Sequence, residues 1–289
     1  MSAQLMLGKD TAAAVKEELD KGIEELKGRG IMPRLQIIKV GDKPEDRAYE
    51  TGARKRFEKL AIELEVMELP EDVSEEEFEK AIEDANSDPL VHGILVFRPL
   101  PEGLDEERIS RLIAPEKDVD CFSPVNIAKV MTGESGKSGF APCTAEAAIE
   151  IGERNGIDFS GKDVTVIGRS MVVGRPLSMM LLQKNATVTV CHSRSKDLAA
   201  SCSDADIVIS AAGRAGLVTA DMVRDGADVI DVGINVTEDG KLTGDVDFDA
   251  VSEKAEKITP VPGGVGGVTT SILARHVVLA AERLNKEAE

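Results

Sequence analysis

Apolar positions along the chain follow two alternating periods. Residues 12–28 (AAAVKEELDKGIEELKG) repeat their apolar side chains at three- and four-residue steps, the spacing of an amphipathic helix. RLQIIKV at 34–40 predicts a strand, and Pro44 starts a helix running from about Glu45 to Leu60. ELEVMEL predicts a second strand, residues 74–86 a helix, and HGILVF a buried strand. Pro, Gly and Ser then cluster at 132–143 (TGESGKSGFAPC) and mark a break. A second series follows it. KDVTVIG at 162–168 predicts a strand, GRPLSMMLLQKN a helix with Pro176 near its first turn, and ATVTVCH, ADIVISA and ADVIDVG three more strands. A last helix, from about Thr269 to Asn285, follows the glycine-rich PVPGGVGGV and is expected to return to the first domain.

This rhythm predicts an α/β protein of two domains. The first is an α/β domain of residues 1–143 plus 270–289. The second, residues 144–269, is a Rossmann-type, doubly wound parallel sheet. No internal repeat interrupts the pattern.

Composition narrows the chemistry. Of 289 residues only 3% are aromatic, with no Trp and a single Tyr, so the core must be aliphatic. A net charge of −18 repels phosphate backbones and anionic membrane surfaces, which argues against nucleic-acid and membrane partners. The acidic residues lie mostly on predicted helix faces, so an anionic ligand would need a local device: a helix N-terminus or a placed arginine. The four cysteines form no CxxC pair and the three histidines are scattered, so neither a metal site nor a disulfide framework is expected. No basic–apolar leader is present, and no apolar run reaches the roughly 18 residues of a membrane span. The expected location is the cytoplasm.

The strand VTVIG runs through GRSMVVGRP into a helix, the arrangement of a nucleotide-binding βα turn. Glycine lets the backbone approach a pyrophosphate, and the helix N-terminus offers free N–H groups. Gly168 and Gly174 stand six apart, with Ser170 where the usual second glycine would be. An NAD site carries an acid at the end of the next strand to hold the ribose hydroxyls. Here that strand ends in Cys191, His192, Ser193, Arg194 and Ser195, with Arg169 nearby in sequence. Hydroxyls and cations suit a 2′-phosphate, so the expected cofactor is NADP.

VGDKPEDRAYETGARK, GILVFRPLP, PEKDVDCFSPVN, VIGRSMVVGRP and PVPGGVGGVTT occur in this order. Together they resemble the methylenetetrahydrofolate dehydrogenase/methenyltetrahydrofolate cyclohydrolase family over nearly the whole chain. The resemblance implies a homodimer, NADP in the second domain, and a folate cleft between the domains. It implies hydride removal from methylenetetrahydrofolate followed by hydrolysis of the methenyl cation. Residue by residue, it makes Tyr49 the pterin-stacking tyrosine and Asp120 the carboxylate on the pterin's polar edge, both candidates for catalysis. Pro99, Leu100 and Pro101 match the rigid substrate loop, and Gly263, Gly264 and Gly266 the glycine loop near the nicotinamide; Pro99, Leu100, Gly263 and Gly264 are thereby expected, with Tyr49 and Asp120, to bind the folate substrate. Gly168, Arg169, Ser170 and Gly174 match the cofactor loop, and Ser193 with Arg194 the 2′-phosphate contact. Asp245, in GDVDF, matches a shared motif without an assigned role.

The chain also departs from the family. Ala53 stands where the family has a lysine, one helical turn after the tyrosine, and Phe97 where it has a glutamine. Asp46, Cys121 and Gly267 replace a common serine, glycine and proline. The lysine and glutamine serve mainly the hydrolase half. Their joint loss predicts a dehydrogenase with weak or absent cyclohydrolase activity. Arg56, seven residues past Tyr49, and Arg98 are the cations that could compensate. The competing readings are a complete bifunctional enzyme with a rearranged hydrolase site, a non-catalytic folate- or NADP-binding protein, and a dehydrogenase for another small substrate.

Overall fold

The structure, a computed structural model, describes residues 2–286; residues 1 and 287–289 of the expected first domain lie outside them. β1 (Gln4–Leu5) and α1 (Gly8–Gly28) open the chain. β2 (Arg34–Val40), α2 (Pro44–Leu60), β3 (Glu63–Leu69), α3 (Glu75–Ser87) and β4 (Gly93–Val96) then alternate, followed by α4 (Glu106–Ser110) and α5 (Pro124–Thr132). After α6 (Cys143–Arg154) come β5 (Asp163–Ile167), α7 (Gly174–Gln183), β6 (Thr187–Cys191), α8 (Leu198–Ser203), β7 (Ile207–Ser210) and β8 (Asp228–Asp231). The short β9 (Asn235–Val236), β10 (Leu242–Thr243), α9 (Phe248–Ser252) and β11 (Lys257–Ile258) lead into α10 (Gly266–Lys286).

The chain divides into two compact units: Met1–Ala13 with Thr144–Thr269, and Ala14–Cys143 with Thr270–Glu289. Residues 2–13, which the sequence pattern groups with the first domain, thus belong with 144–269. The cause is β1, which pairs in parallel with β11, Gln4 opposite Lys257 and Leu5 opposite Ile258.

In the unit of 14–143 and 270–289, β2 lies between β3 and β4 in a three-stranded parallel sheet. Strands flanked on both sides and covered on both faces become continuous apolar runs. Accordingly Leu35, Ile37, Ile38 and Val40 are all buried, whereas edge strand β3 alternates glutamates with apolar residues. Pro44 starts α2, and Ala61 in the left-handed conformation stops it. A capping box starts α3: the Glu77 N–H donates to Ser74 Oγ and the Ser74 N–H to Glu77 Oε2. At the other end of α3, the buried Lys117 ammonium donates to the carbonyls of Ala85, Asn86 and Asp88. This ties the start of the KDVD segment to the helix C-terminus, where a cation is favoured. The C-terminal part of α10 packs in this unit, with Val277 against Gly93.

The other unit carries a six-stranded sheet in the order β1-β11-β8-β7-β5-β6, parallel throughout. β5 has β6 on one side and β7 on the other, so the chain reverses its direction of travel across the sheet at β5. This is the doubly wound, Rossmann-type arrangement, and it opens a crevice at the carboxyl ends of β5 and β7.

Candidate active site

The crevice is closed by backbone rather than side chains. Gly168, the residue after β5, has φ +124°, and any Cβ on it would collide with the Ala211 carbonyl just beyond β7. A Cβ on Gly174, the first residue of α7, would collide in turn with the Gly168 carbonyl. Three chain segments therefore touch main chain to main chain, which only glycine allows. Ser170 has its own task here. Its hydroxyl accepts from the Val173 N–H (3.1 Å), and its carbonyl from the Arg175 N–H (3.0 Å), so it closes the turn that aims α7.

Beyond β6, His192 and Ser195 fold the next loop on itself. The His192 N–H donates to Ser195 Oγ (2.9 Å) and the Arg194 N–H to His192 Nδ1 (3.1 Å). Ser193 and Arg194 are left exposed, as are Arg169 and Ser170. The first acid after the turn, Asp197, is occupied as the N-cap of α8, accepting from the Ala200 N–H.

Gly263 and Gly264, expected in the folate site, lie in this same unit as the dinucleotide turn. Gly263 is in the left-handed region, and its carbonyl accepts from the Gly8 N–H (2.8 Å). Gly263 and Gly264 lie in the segment 260–267, which with residues 231–234 and Leu242 lines a cavity of about 210 Å³.

Two aspartates absent from the expected site interlock beside that cavity. Asp245 Oδ2 accepts from Ser210 Oγ (2.9 Å) and from the N–H groups of Ala212 (2.7 Å) and Gly213 (3.2 Å). Its Oδ1 accepts from the Arg214 N–H (2.8 Å) and Asn235 Nδ2 (3.0 Å). Asp231 accepts from the N–H groups of Gly233, Asp245 and Val246. Burial, with the nearby Asp245 charge, pushes Asp231 up to about 6 against those three stabilising bonds. A raised carboxyl holds its proton more tightly in the folded than in the unfolded chain. The stability it contributes is therefore complete at low pH and lost as pH rises through about 6. Relative to Asp231→Asn, which cannot titrate, the wild type should lose about 3 kcal/mol of unfolding free energy between roughly pH 3 and 7. Denaturant titrations across that range check this, and a pH-independent difference would contradict it.

In the other unit, Asp118 builds the loop that carries Asp120. Its buried carboxylate accepts from the N–H groups of Phe122 and Ser123 (both 2.8 Å) and from Asn126 Nδ2 (2.9 Å). The tight loop places Cys121 at φ +56°, which explains a glycine preference there. Asp120 is half-buried, and its Oδ1 accepts from the Cys143 N–H (2.9 Å). The neighbouring Val119 carbonyl is held by His276 Nδ1 (2.8 Å) and by the Cys143 thiol (3.3 Å). Cys143 and His276, both buried, are thus supports of Asp120 that sequence reading passed over, since APC reads only as punctuation at the break.

Tyr49, on α2, is half-buried and meets Phe97 edge-on, centroids 5.5 Å apart at 88°. Its enclosure, with Asp120 and Cys143 nearby, raises its phenol well above the ordinary value, so it stays neutral. Ala53, one turn on, is fully buried. Arg98 lies over the Phe122 ring at 4.3 Å, a cation–π contact. Arg56 is half-buried, and burial lowers its pKa. Pro99 follows a cis peptide bond and is exposed, while the Leu100 N–H donates to Glu106 Oε1 (3.0 Å). The structure therefore groups Tyr49, Phe97 and Asp120 in one unit and gathers the dinucleotide turn with Gly263 and Gly264 in the other. Among the described residues no cluster of His, Cys, Asp or Glu could hold a metal ion.

A parallel sheet with a glycine turn at its switch point, joined in one chain to a second α/β unit carrying a tyrosine and a supported carboxylate, defines a nucleotide-dependent α/β enzyme. The chain belongs to the tetrahydrofolate dehydrogenase/cyclohydrolase family: the family's catalytic-domain model matches residues 6–120 and its NAD(P)-binding-domain model residues 142–285. The bifunctional protein FolD of Clostridioides difficile (strain 630) is 53% identical over 284 residues, covering 98% of both chains. Among solved structures, the bifunctional FolD of Campylobacter jejuni superposes with a TM-score of 0.94 at 42% identity, covering 98% of this chain and 99% of that one. The Trypanosoma brucei methylenetetrahydrofolate dehydrogenase-cyclohydrolase, complexed with NADP cofactor and inhibitor, does so with 0.93 at 36% identity and 98% coverage of each.

Proposed function

We propose that this protein oxidises 5,10-methylenetetrahydrofolate with NADP, and that its hydrolysis of the methenyl product is weak or absent. The observation that carries the second clause is the wall beside Tyr49. Ala53 is fully buried, and Phe97 packs its ring against the tyrosine, where the family resemblance puts a lysine and a glutamine. Adding water to the methenyl carbon needs a group that takes or directs a proton and an oriented water. A methyl group and a phenyl ring supply neither.

Hydride removal asks less of the protein. The methylene carbon lies between two nitrogens; as hydride leaves with the bonding electron pair, a nitrogen lone pair stabilises the cation, and no proton moves. When bound, NADP supplies the nicotinamide that accepts the hydride. The remaining work is orientation. Tyr49 stacks on the pterin as a neutral phenol. Asp120, held by Cys143, accepts from the pterin amino and ring N–H groups, and Pro99 and Leu100 border the substrate. Gly263 and Gly264 contribute main chain alone.

The residues present fit NADP. Gly168 and Gly174 leave main chain, not side chain, at the pyrophosphate turn. Asp197 is used as a helix cap, and exposed Ser193, Arg194 and Arg169 suit a 2′-phosphate. The family resemblance extends the reading to a homodimer, and four free thiols suit the reducing cytoplasm.

A second reading, full bifunctionality through a rearranged hydrolase site, is favoured by the bifunctional name of the 53%-identical relative. One paired assay separates them. NADPH formation from methylenetetrahydrofolate, with NAD as control, should be rapid. Loss of the methenyl chromophore should not exceed the buffer rate. Hydrolysis clearly above buffer would favour the second reading, with Arg56 and Arg98 the first residues to test. Binding of both ligands without NADPH formation would instead leave a non-catalytic binder.

A further inference from the structure

We propose that Asp245 is a positioning residue for the dinucleotide, acting through the backbone that forms one wall of its turn; this rests on the NADP half of the function proposed above. The observation is the number and source of its donors. The carboxylate is wholly buried and receives five hydrogen bonds, three of them from consecutive main-chain N–H groups at 212–214. A fourth comes from Ser210 at the end of β7, and the fifth from Asn235 beyond β8. Ala211, enclosed by this set, is the residue whose carbonyl abuts Gly168. Asp245 therefore fixes the segment against which the pyrophosphate turn closes, at the crevice where an open α/β sheet binds its ligand.

The arrangement admits no substitute. Gly233 lies so close to the Asp245 carboxylate that a Cβ there would overlap it, and Gly244 stands in the same relation to Asp231. Five donors, all uncharged groups, converge on the two carboxylate oxygens of Asp245. An amide in its place would turn an N–H₂ group toward either Ala212 and Gly213 or Arg214, and the segment would have to move.

The test is NADPH binding to the full chain, followed by cofactor fluorescence, beside tetrahydrofolate binding and thermal melting. Asp245→Asn is expected to raise the NADPH Kd about tenfold or more, while the tetrahydrofolate Kd stays within about twofold. Ser210→Ala and Asn235→Ala each remove a single donor. They should weaken NADPH binding by about two- to fivefold with little change in melting temperature, and they carry the test if Asp245→Asn does not fold. Unchanged NADPH affinity in these variants, or equal weakening of both ligands in step with lowered melting, would overturn the assignment. Wild-type protein that binds no NADPH would overturn the functional reading itself.

Discussion

Asp120→Asn should lower kcat/KM for methylenetetrahydrofolate by about a hundredfold while leaving NADP affinity unchanged. A carboxylate that accepts from a pterin amino group and ring N–H together makes two charge-assisted bonds, each worth about 1.5–3 kcal/mol. The asparagine keeps one acceptor and turns its N–H₂ toward either the pterin or the Cys143 N–H, which already donates to Oδ1. The net loss of about 3 kcal/mol corresponds to about a hundredfold in rate. The supports of Asp120 give the experiment a control. Cys143→Ser retains the main-chain donor and a hydroxyl in reach of the Val119 carbonyl, and should lose far less. Steady-state kinetics with each substrate varied in turn would decide. A fall of less than about threefold for Asp120→Asn would remove this residue from the substrate site.

The second large effect is a gain. Ala53→Lys combined with Phe97→Gln should raise methenyl hydrolysis by about a hundredfold or more, the lower range for a positioned acid–base group. The two changes are expected to work together far better than apart. Lysine alone at 53 enters a fully buried position beside a phenyl-lined wall, where an unpaired ammonium is costly and loses its proton. Glutamine alone at 97 removes the ring edge from Tyr49 and adds no base. The assay is loss of the methenyl absorbance above the buffer rate in both single variants and the double. An unchanged rate in the well-folded double variant would show that these two positions do not set the level of methenyl hydrolysis.

Much of the architecture is legible from the chain alone because its determinants are local. RLQIIKV, KDVTVIG and ADIVISA are apolar runs of strand length, and they become β2, β5 and β7. The Ser74–Glu77 capping box starts α3 where the amphipathic period begins. The pairing of β1 with β11 is different in kind. A two-residue strand has no period, and its partner lies more than 250 residues away, so nothing near Gln4 announces the sheet it joins. The site divides the same way. Tyr49, Asp120 and the dinucleotide glycines sit in compact motifs. The groups that hold Asp120 come from residues 143 and 276, and Asp245 gathers donors from 210 to 235. Such supports are set by distances in space, and no spacing in sequence reports them.

The main-chain contact among Gly168, Gly174 and Ala211 has a consequence for how coenzyme preference can change. Where the diphosphate is expected, the turn packs main chain on main chain, and a single methyl at either glycine would meet carbonyl oxygen. That part of the pocket is a fixed socket. The 192–195 turn is a rim: it is folded by His192 and Ser195, and it leaves Ser193 and Arg194 exposed. A lineage or an engineer can therefore redraw the rim to prefer another dinucleotide without disturbing the socket, and selection for a different electron carrier would act on those few outward side chains.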